Sequence, residues 1–195
     1  MTRKRRRNGL LESLSAGEAK EALRLLLERH PELRAEAKAV ARDMIADVAA
    51  EDIAEDVKER VLCVDHEALN SRAGSHSWGY VEPSEAAWEL LEEAIEDLVE
   101  DMKRRKEAGA ERASQEICVG LVLGLYSLRQ AKSDGALGWA PGFPAETAAQ
   151  VVSGFVAIHP ASRRTAAGKK ILKELGAKTG AWMEILQRAV RDASR

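Results

Sequence analysis

The sequence has few of the residues that build β-sheets and few that interrupt helices. Aromatic residues make up 4% of the chain and there are only five prolines, whereas the abundant Ala, Leu, Glu, Lys and Arg all favour helices. No stretch of alternating apolar and polar residues is long enough to predict a strand. The composition therefore predicts an all-α protein, either a compact multi-helix bundle or a short α-solenoid.

Cysteines and long apolar runs are also scarce. The two cysteines, Cys63 and Cys118, lie within apolar helical runs, which favours core packing in a reducing compartment over a disulfide framework. The longest apolar run, from Ile117 to Leu128, spans about twelve residues, whereas a membrane span needs ~20. The basic amino terminus is not followed by the apolar segment of a secretory signal. We therefore expect a cytoplasmic protein that has no membrane partner.

Charge is distributed unevenly along the chain, although the net charge is only −2. Residues 1–10 carry +5 and residues 161–195 carry +6, which leaves −13 for residues 11–160. An acidic body is a poor surface for nucleic acid, because phosphates repel it. If the chain binds nucleic acid, we expect it to do so through its basic ends.

About eight helices are predicted from the apolar spacing, separated by capping residues, prolines and glycines. The helix over 111–132 is apolar on nearly all sides and is expected at the centre of the domain. Gly120 and Gly124 in it would allow a neighbouring backbone to approach closely. We predict three regions: a disordered basic tail over 1–9, a helical core over 10–160, and a basic helical hairpin over 161–195 packed on the core.

The first two predicted helices are joined at a proline. Ser15 and Glu18 form a capping-box pattern, and His30-Pro31-Glu32-Leu33 marks a tight turn, so an antiparallel helical hairpin is expected. Residues 15–45 resemble one helix-turn-helix unit of α-solenoid proteins such as HEAT or tetratricopeptide arrays. The signature residues of tetratricopeptide repeats are absent, so the resemblance implies a fold and assigns no binding residues.

Two polar loops are the first candidates for a binding surface. The connection over 70–83 contains Arg72, His76, Trp78 and Tyr80, and a second loop over 134–144 contains Trp139. Loops of this length in a helical domain often carry function. Their aromatic residues would also serve simply to anchor the loops to the core.

A metal site is a second hypothesis for the same region. Cys63 and His66 would share a face if one helix ran through both, and His76 with Asp65 or Glu67 would complete a set of four zinc ligands. No second pair of cysteines is present, and a buried thiol with ordinary polar neighbours explains the same residues. No cofactor is predicted.

Charged faces supply the remaining candidates. The helix over 84–107 carries a row of Glu and Asp residues opposite its apolar stripe; a solvated face explains them, and a docking surface for a basic partner is the functional alternative. The two C-terminal helices faintly resemble a DNA-binding helix-turn-helix. The candidate phosphate contacts at the two ends of the chain are Arg5, Arg6, Arg163, Arg164, Lys169 and Lys170.

No catalytic motif is present: the chain lacks a Gly-rich phosphate loop, a Gly-x-Ser-x-Gly elbow and a His-Glu-x-x-His pair. The sequence therefore favours a non-enzymatic binding or adaptor protein with a protein partner. A nucleic-acid-associated protein is the alternative, and a metal-dependent activity at Cys63, His66 and His76 is third. Self-association remains open.

Overall fold

The fold was taken from a computed structural model, which describes residues 9–77, 79–131 and 135–195. The protein is all-α, with one short antiparallel hairpin. In the described residues the helices are α1 (Ala16–Arg29), α2 (Arg34–Ala46), α3 (Ala50–Cys63), α4 (His66–Arg72), α5 (Pro83–Glu107), α6 (Glu111–Ser127), α7 (Ala136–Trp139), α8 (Phe143–Ala157), α9 (Ala161–Gly176) and α10 (Met183–Ala193). The strands are β1 (Gly74–His76) and β2 (Gly79–Val81).

Contacts divide the chain into two compact units, Met1–Met44 and Ile45–Arg195. The C-terminal helices belong to the large unit, where Ile171, Leu175 and Leu186 are fully buried. The described residues of the small unit include no buried side chain.

The centre of the large unit is α6, as the sequence predicts. It packs against α3, α5, α8 and α9, and Ile117, Cys118, Leu121, Val122 and Leu125 are fully buried. The regular helix ends at Ser127, earlier than expected, and a 3-10 turn follows. An apolar helix of this kind is buried on most sides because every face has a partner.

Two glycines of α6 allow α3 to lie directly against it. A Cβ atom at Gly120 would lie 2.5 Å from the Cβ of Ile53, and one at Gly124 would lie 2.7 Å from the carbonyl oxygen of Ala54. No side chain fits at such distances, so the close approach that the glycine spacing predicts is confirmed, with α3 as the neighbour.

The small unit begins as the sequence predicts. The Ser15 hydroxyl accepts from the Glu18 backbone N–H at 3.3 Å, and the Glu18 carboxylate accepts from the Ser15 backbone at 2.9 Å, which completes the capping box. A 3-10 turn at Pro31–Leu33 separates α1 from α2. The apolar stripes of α1 and α2 line one open groove, and none of the side chains of these two helices is buried.

Three local features differ from the sequence predictions. No single helix runs through Cys63 and His66, because the Asp65 carboxylate accepts from the Ala68 backbone N–H at 3.0 Å and caps α4 as a helix separate from α3.

The connection after α4 contains strands β1 and β2, which are too short to produce a sequence pattern; Gly74 pairs with Val81 and His76 with Gly79. The helix predicted over 84–107 begins one residue earlier, with Glu82 as its N-cap and Pro83 as its first residue.

None of the helices in the described ranges is both long enough and apolar enough to cross a bilayer.

Candidate functional site

A groove of about 560 Å³ lies between α5 and α8. Its floor is apolar, because Ile95 and Met102 of α5 and Val151 of α8 line it while belonging to the buried core. Gly154 of α8 forms part of the wall, and a Cβ atom there would meet nothing within 4 Å. The groove therefore has an apolar base and room for a side chain from outside the protein.

The rim on α5 is strongly acidic. The helical spacing of three and four residues places five carboxylates along the groove, and these are Glu89, Glu92, Glu93, Glu96 and Glu100. The predicted acidic row is thus confirmed as an exposed face, and part of it borders a cavity.

Two cations offset part of this charge. Arg72 of α4 donates from Nη1 to Glu93 Oε1 at 2.6 Å and lies 3.6 Å from Glu89 Oε2. Lys103 Nζ, at the far end of the groove, donates to Glu100 Oε1 at 2.7 Å. The hydrogen bond from Arg72 lowers the pKa of Glu93 below its ordinary value, so this carboxyl stays ionised at neutral pH. The five carboxylates and these two cations leave a net charge of about −3 along the groove.

Thr147 supplies the least expected feature of the groove. Its side chain lines the wall on α8 and is 5% exposed. Among the described residues, its hydroxyl oxygen has no hydrogen-bond partner. A buried hydroxyl without a partner costs about 1–3 kcal/mol, so the Thr147 hydroxyl is suited to a ligand group that forms a hydrogen bond with it, as donor or as acceptor.

Sequence reasoning missed Thr147, although a signal existed. Thr147 lies four residues before Val151, on the inner stripe of a helix whose other inner residues are apolar. A polar residue within such a stripe marks a position that needs a partner. The sequence alone does not show that, among the described residues, no hydrogen-bond partner reaches the Thr147 hydroxyl.

The predicted loop surface is only partly assembled. The Arg72 side chain forms an ion pair with carboxylates of α5, and the His76 ring Nε2 lies 2.7 Å from the Arg72 carbonyl oxygen. Tyr80 is 61% exposed and Trp139, at the end of α7, is 51% exposed, so neither acts as a buried anchor. Trp78 lies outside the described residues. Both α4 and α7 pack on α5, so the two predicted loops border the helix that forms the acidic rim.

The predicted metal ligands do not come together. Cys63 ends α3 and His66 begins α4, so they do not share one helical face, and the Asp65 carboxylate is used as a cap. The part of the chain that the structure describes, which includes Cys63, His66 and His76, holds no group of three or more potential ligands. Cys63 is exposed, which corrects the expectation of a buried thiol, whereas Cys118 is buried as predicted.

The basic candidates separate into two groups. Arg5 and Arg6 lie outside the described residues. On α9, Arg163, Lys169 and Lys170 are exposed, while the Arg164 guanidinium donates to the His159 carbonyl oxygen at 3.2 Å at the end of α8. Helix α10 packs against α8 and α9 through Leu186 and Val190, and the exposed members of the candidate set lie on α9.

Comparisons with protein-family models, with curated proteins and with solved structures found no match. The function must therefore be argued from the groove and the surfaces described above.

Proposed function

We propose that this protein is a non-enzymatic binding protein that holds a basic segment of a partner protein in the groove between α5 and α8. The observation that carries the proposal is the Thr147 hydroxyl, buried and unpaired on the wall of a groove whose rim is acidic. A ligand group can satisfy this hydroxyl by donating or by accepting a hydrogen bond, and the five carboxylates of the rim favour a donor with positive charge.

Lysine and arginine side chains meet both conditions and also fit the floor. Each has an apolar stem and a charged head, and such side chains pack their stems on apolar surface while the head stays among polar groups. Here the stem would lie on Ile95, Met102 and Val151, and the head would reach the carboxylates of Glu92 and Glu96. The Thr147 hydroxyl would accept one N–H from the head. Arginine is favoured over lysine where several acceptors surround one cation, because it presents five donors.

The test is a titration of the full chain with a short labelled peptide of alternating alanine and arginine. A peptide with citrulline in place of arginine keeps nearly the same shape and some of the N–H donors but removes the charge. We expect binding of the arginine peptide that weakens as salt increases, and at least about tenfold weaker binding of the citrulline peptide. A deletion of residues 1–8 is measured in parallel, because its five cations could compete for the groove.

Gly154 offers a matched pair of variants for locating the peptide. Gly154→Phe fills the groove and should abolish binding, whereas Gly154→Ala adds one methyl group in open space and should leave binding unchanged. Unchanged binding to Gly154→Phe would place the peptide elsewhere and refute the groove as the site.

Nucleic-acid binding is the second candidate function, and one observation favours it. Arg163, Lys169 and Lys170 are exposed on α9, and no carboxylate of the described residues lies within ion-pair distance of them. A row of free cations is the form that a phosphate-binding surface takes. Labelled single- and double-stranded nucleic acids should then bind at near-physiological salt, and Lys169→Glu with Lys170→Glu should reduce the affinity. An absence of binding even at low salt would remove this candidate.

A further inference from the structure

A second surface lies in the small unit, on the face shared by α1 and α2. An apolar groove of about 460 Å³ runs between these helices. The side chains that give it this character are Leu23, Leu26, Leu27, Leu33, Val40 and Met44. Several of them are largely exposed: Leu23 is 50% exposed, Val40 is 53% and Met44 is 77%.

Exposed large hydrophobic side chains are concentrated in this part of the chain. Of the ten large hydrophobic side chains that are exposed in the described residues, seven precede residue 45. Over residues 9–44 no side chain is buried. A pair of helices with no buried core is not stable alone in water, because helix propensity does not offset the loss of chain entropy. The ordered form of α1 and α2 therefore requires a partner that covers their apolar face.

We propose that this partner is the same face of a second copy of the chain, so that two α1–α2 pairs form a four-helix arrangement about a twofold axis. In a twofold interface each copy contributes the same patch. Four amphipathic helices around an apolar core are a common stable solution of this problem.

The nearly balanced charge of residues 9–44 fits a second copy of the chain better than it fits a strongly charged partner. Residues 9–44, which carry the apolar face, contain seven acidic and six basic residues, so the two apolar faces themselves would meet with little net repulsion. The charges are also interspersed along both helices, and some already pair within one chain, as Arg24 does with Glu21 at 2.6 Å. A highly basic or acidic partner would find no complementary field on this face.

The available area also matches a small dimer interface. The exposed parts of the groove side chains amount to on the order of 500 Å² per copy, and pairing would bury on the order of 1,000 Å² in total. These side chains are Leu23, Leu26, Leu27, Leu33, Val40 and Met44. That value is at the lower end for a specific interface, so we expect a dimer that dissociates on dilution. This inference rests on the small unit alone and is independent of the proposed peptide groove.

The experiment is sedimentation equilibrium of the full chain over a range from low micromolar to submillimolar concentration. We expect a mass that rises from 21.3 kDa toward twice that value. The double variant Leu26→Gln, Val40→Gln removes apolar contacts from the groove but keeps good helix formers, and should raise the dimer dissociation constant at least about tenfold. Ala39→Gln is the matched control, because Ala39 is exposed on α2 and does not line the groove.

Each oligomeric state that the experiment can find either supports the proposal or overturns it. Dimerisation that is lost in the double variant and kept in Ala39→Gln supports the proposal. A wild-type chain that stays monomeric at every concentration overturns it, as does a dimer that the double variant leaves intact. A monomer whose α1 and α2 amides resist hydrogen exchange would mean that the face is covered within one chain, which also overturns it. Peptide binding by a monomeric double variant would leave the proposed function standing.

Discussion

Replacing Thr147 with valine should stabilise the protein, although most substitutions in a core destabilise it. Valine has the shape of threonine with a methyl group in place of the hydroxyl, and both are β-branched, so the helix propensity of α8 changes little. The Thr147 side chain is 5% exposed and its hydroxyl has no partner in the described residues. The native state therefore bears the cost of desolvating that hydroxyl, and Thr147→Val removes this cost.

The expected gain in the free energy of unfolding is about 1 kcal/mol, the lower end of the range for an unsatisfied buried group, because the groove beside Thr147 is open to solvent. For a chain of this size, 1 kcal/mol corresponds to an increase in Tm of about 2–4 °C. Urea unfolding followed by circular dichroism would measure it, with the m-value expected to stay constant. The same variant should bind the arginine peptide more weakly, because the ligand loses an acceptor.

Thr179 provides the control, because it is also a fully buried threonine. Its hydroxyl donates to the Leu175 carbonyl oxygen at 3.0 Å, and Thr179→Val loses that bond. We expect a loss of about 0.5–1 kcal/mol there, since the Leu175 carbonyl still accepts from backbone N–H groups. The two identical substitutions should thus change stability in opposite directions. If Thr147→Val is destabilised as much as Thr179→Val, the Thr147 hydroxyl is satisfied in the native protein and the argument for a hydrogen-bond-donating ligand fails.

Three further predictions concern packing, pH and thiol reactivity. Gly124→Ala should destabilise the protein by about 1–3 kcal/mol in urea unfolding, because its Cβ would lie 2.7 Å from both the Ala54 carbonyl oxygen and the Val57 Cβ, whereas Gly154→Ala should be neutral or stabilising; equal effects would contradict the close contact of α3 with α6. Lys106 lowers the pKa of Glu111 by donating a hydrogen bond to its carboxylate. The stabilisation that this ion pair gives is present above the ordinary Glu pKa of 4.5 and is lost as the pH falls through the lowered pKa of Glu111 in the folded state. Lys106→Met should therefore cost about 0.5 kcal/mol at neutral pH, a small value because Glu111 is 55% exposed, and nothing in strong acid; a cost that does not depend on pH would rule out the ion pair as its origin. Burial raises the pKa of the Cys118 thiol, so a thiol reagent should modify the exposed Cys63 quickly and Cys118 only on unfolding; two fast thiols would show that the α6 core opens readily.

Local features of the sequence were sufficient to predict most of the helices. The capping box at Ser15 and Glu18 and the turn at Pro31 act within a few residues, so their effects can be predicted without a tertiary structure. The central position of α6 was predictable for a related reason, because a helix that is apolar on nearly all sides must be buried on most of them. The glycine spacing also predicted that a neighbouring helix would approach closely at Gly120 and Gly124, but it did not predict which helix this would be.

The candidate site depended on the tertiary structure. The row of carboxylates on α5 is visible in the sequence, but the same row would be an ordinary solvated face without α8 beside it. Thr147 is separated from Glu96 by fifty-one residues, and only packing places both on one groove. Arg72 could not be assigned to Glu93 from the sequence, since surface ion pairs depend on which helices become neighbours.

The contrast between the two units has the same physical origin. The sequence alone determines that α1 and α2 are amphipathic, because helix caps and apolar spacing are local properties. It does not determine whether their apolar faces become covered, since burial depends on which surfaces meet. The tertiary structure covers the stripes of α9 and α10 and leaves those of α1 and α2 without buried residues.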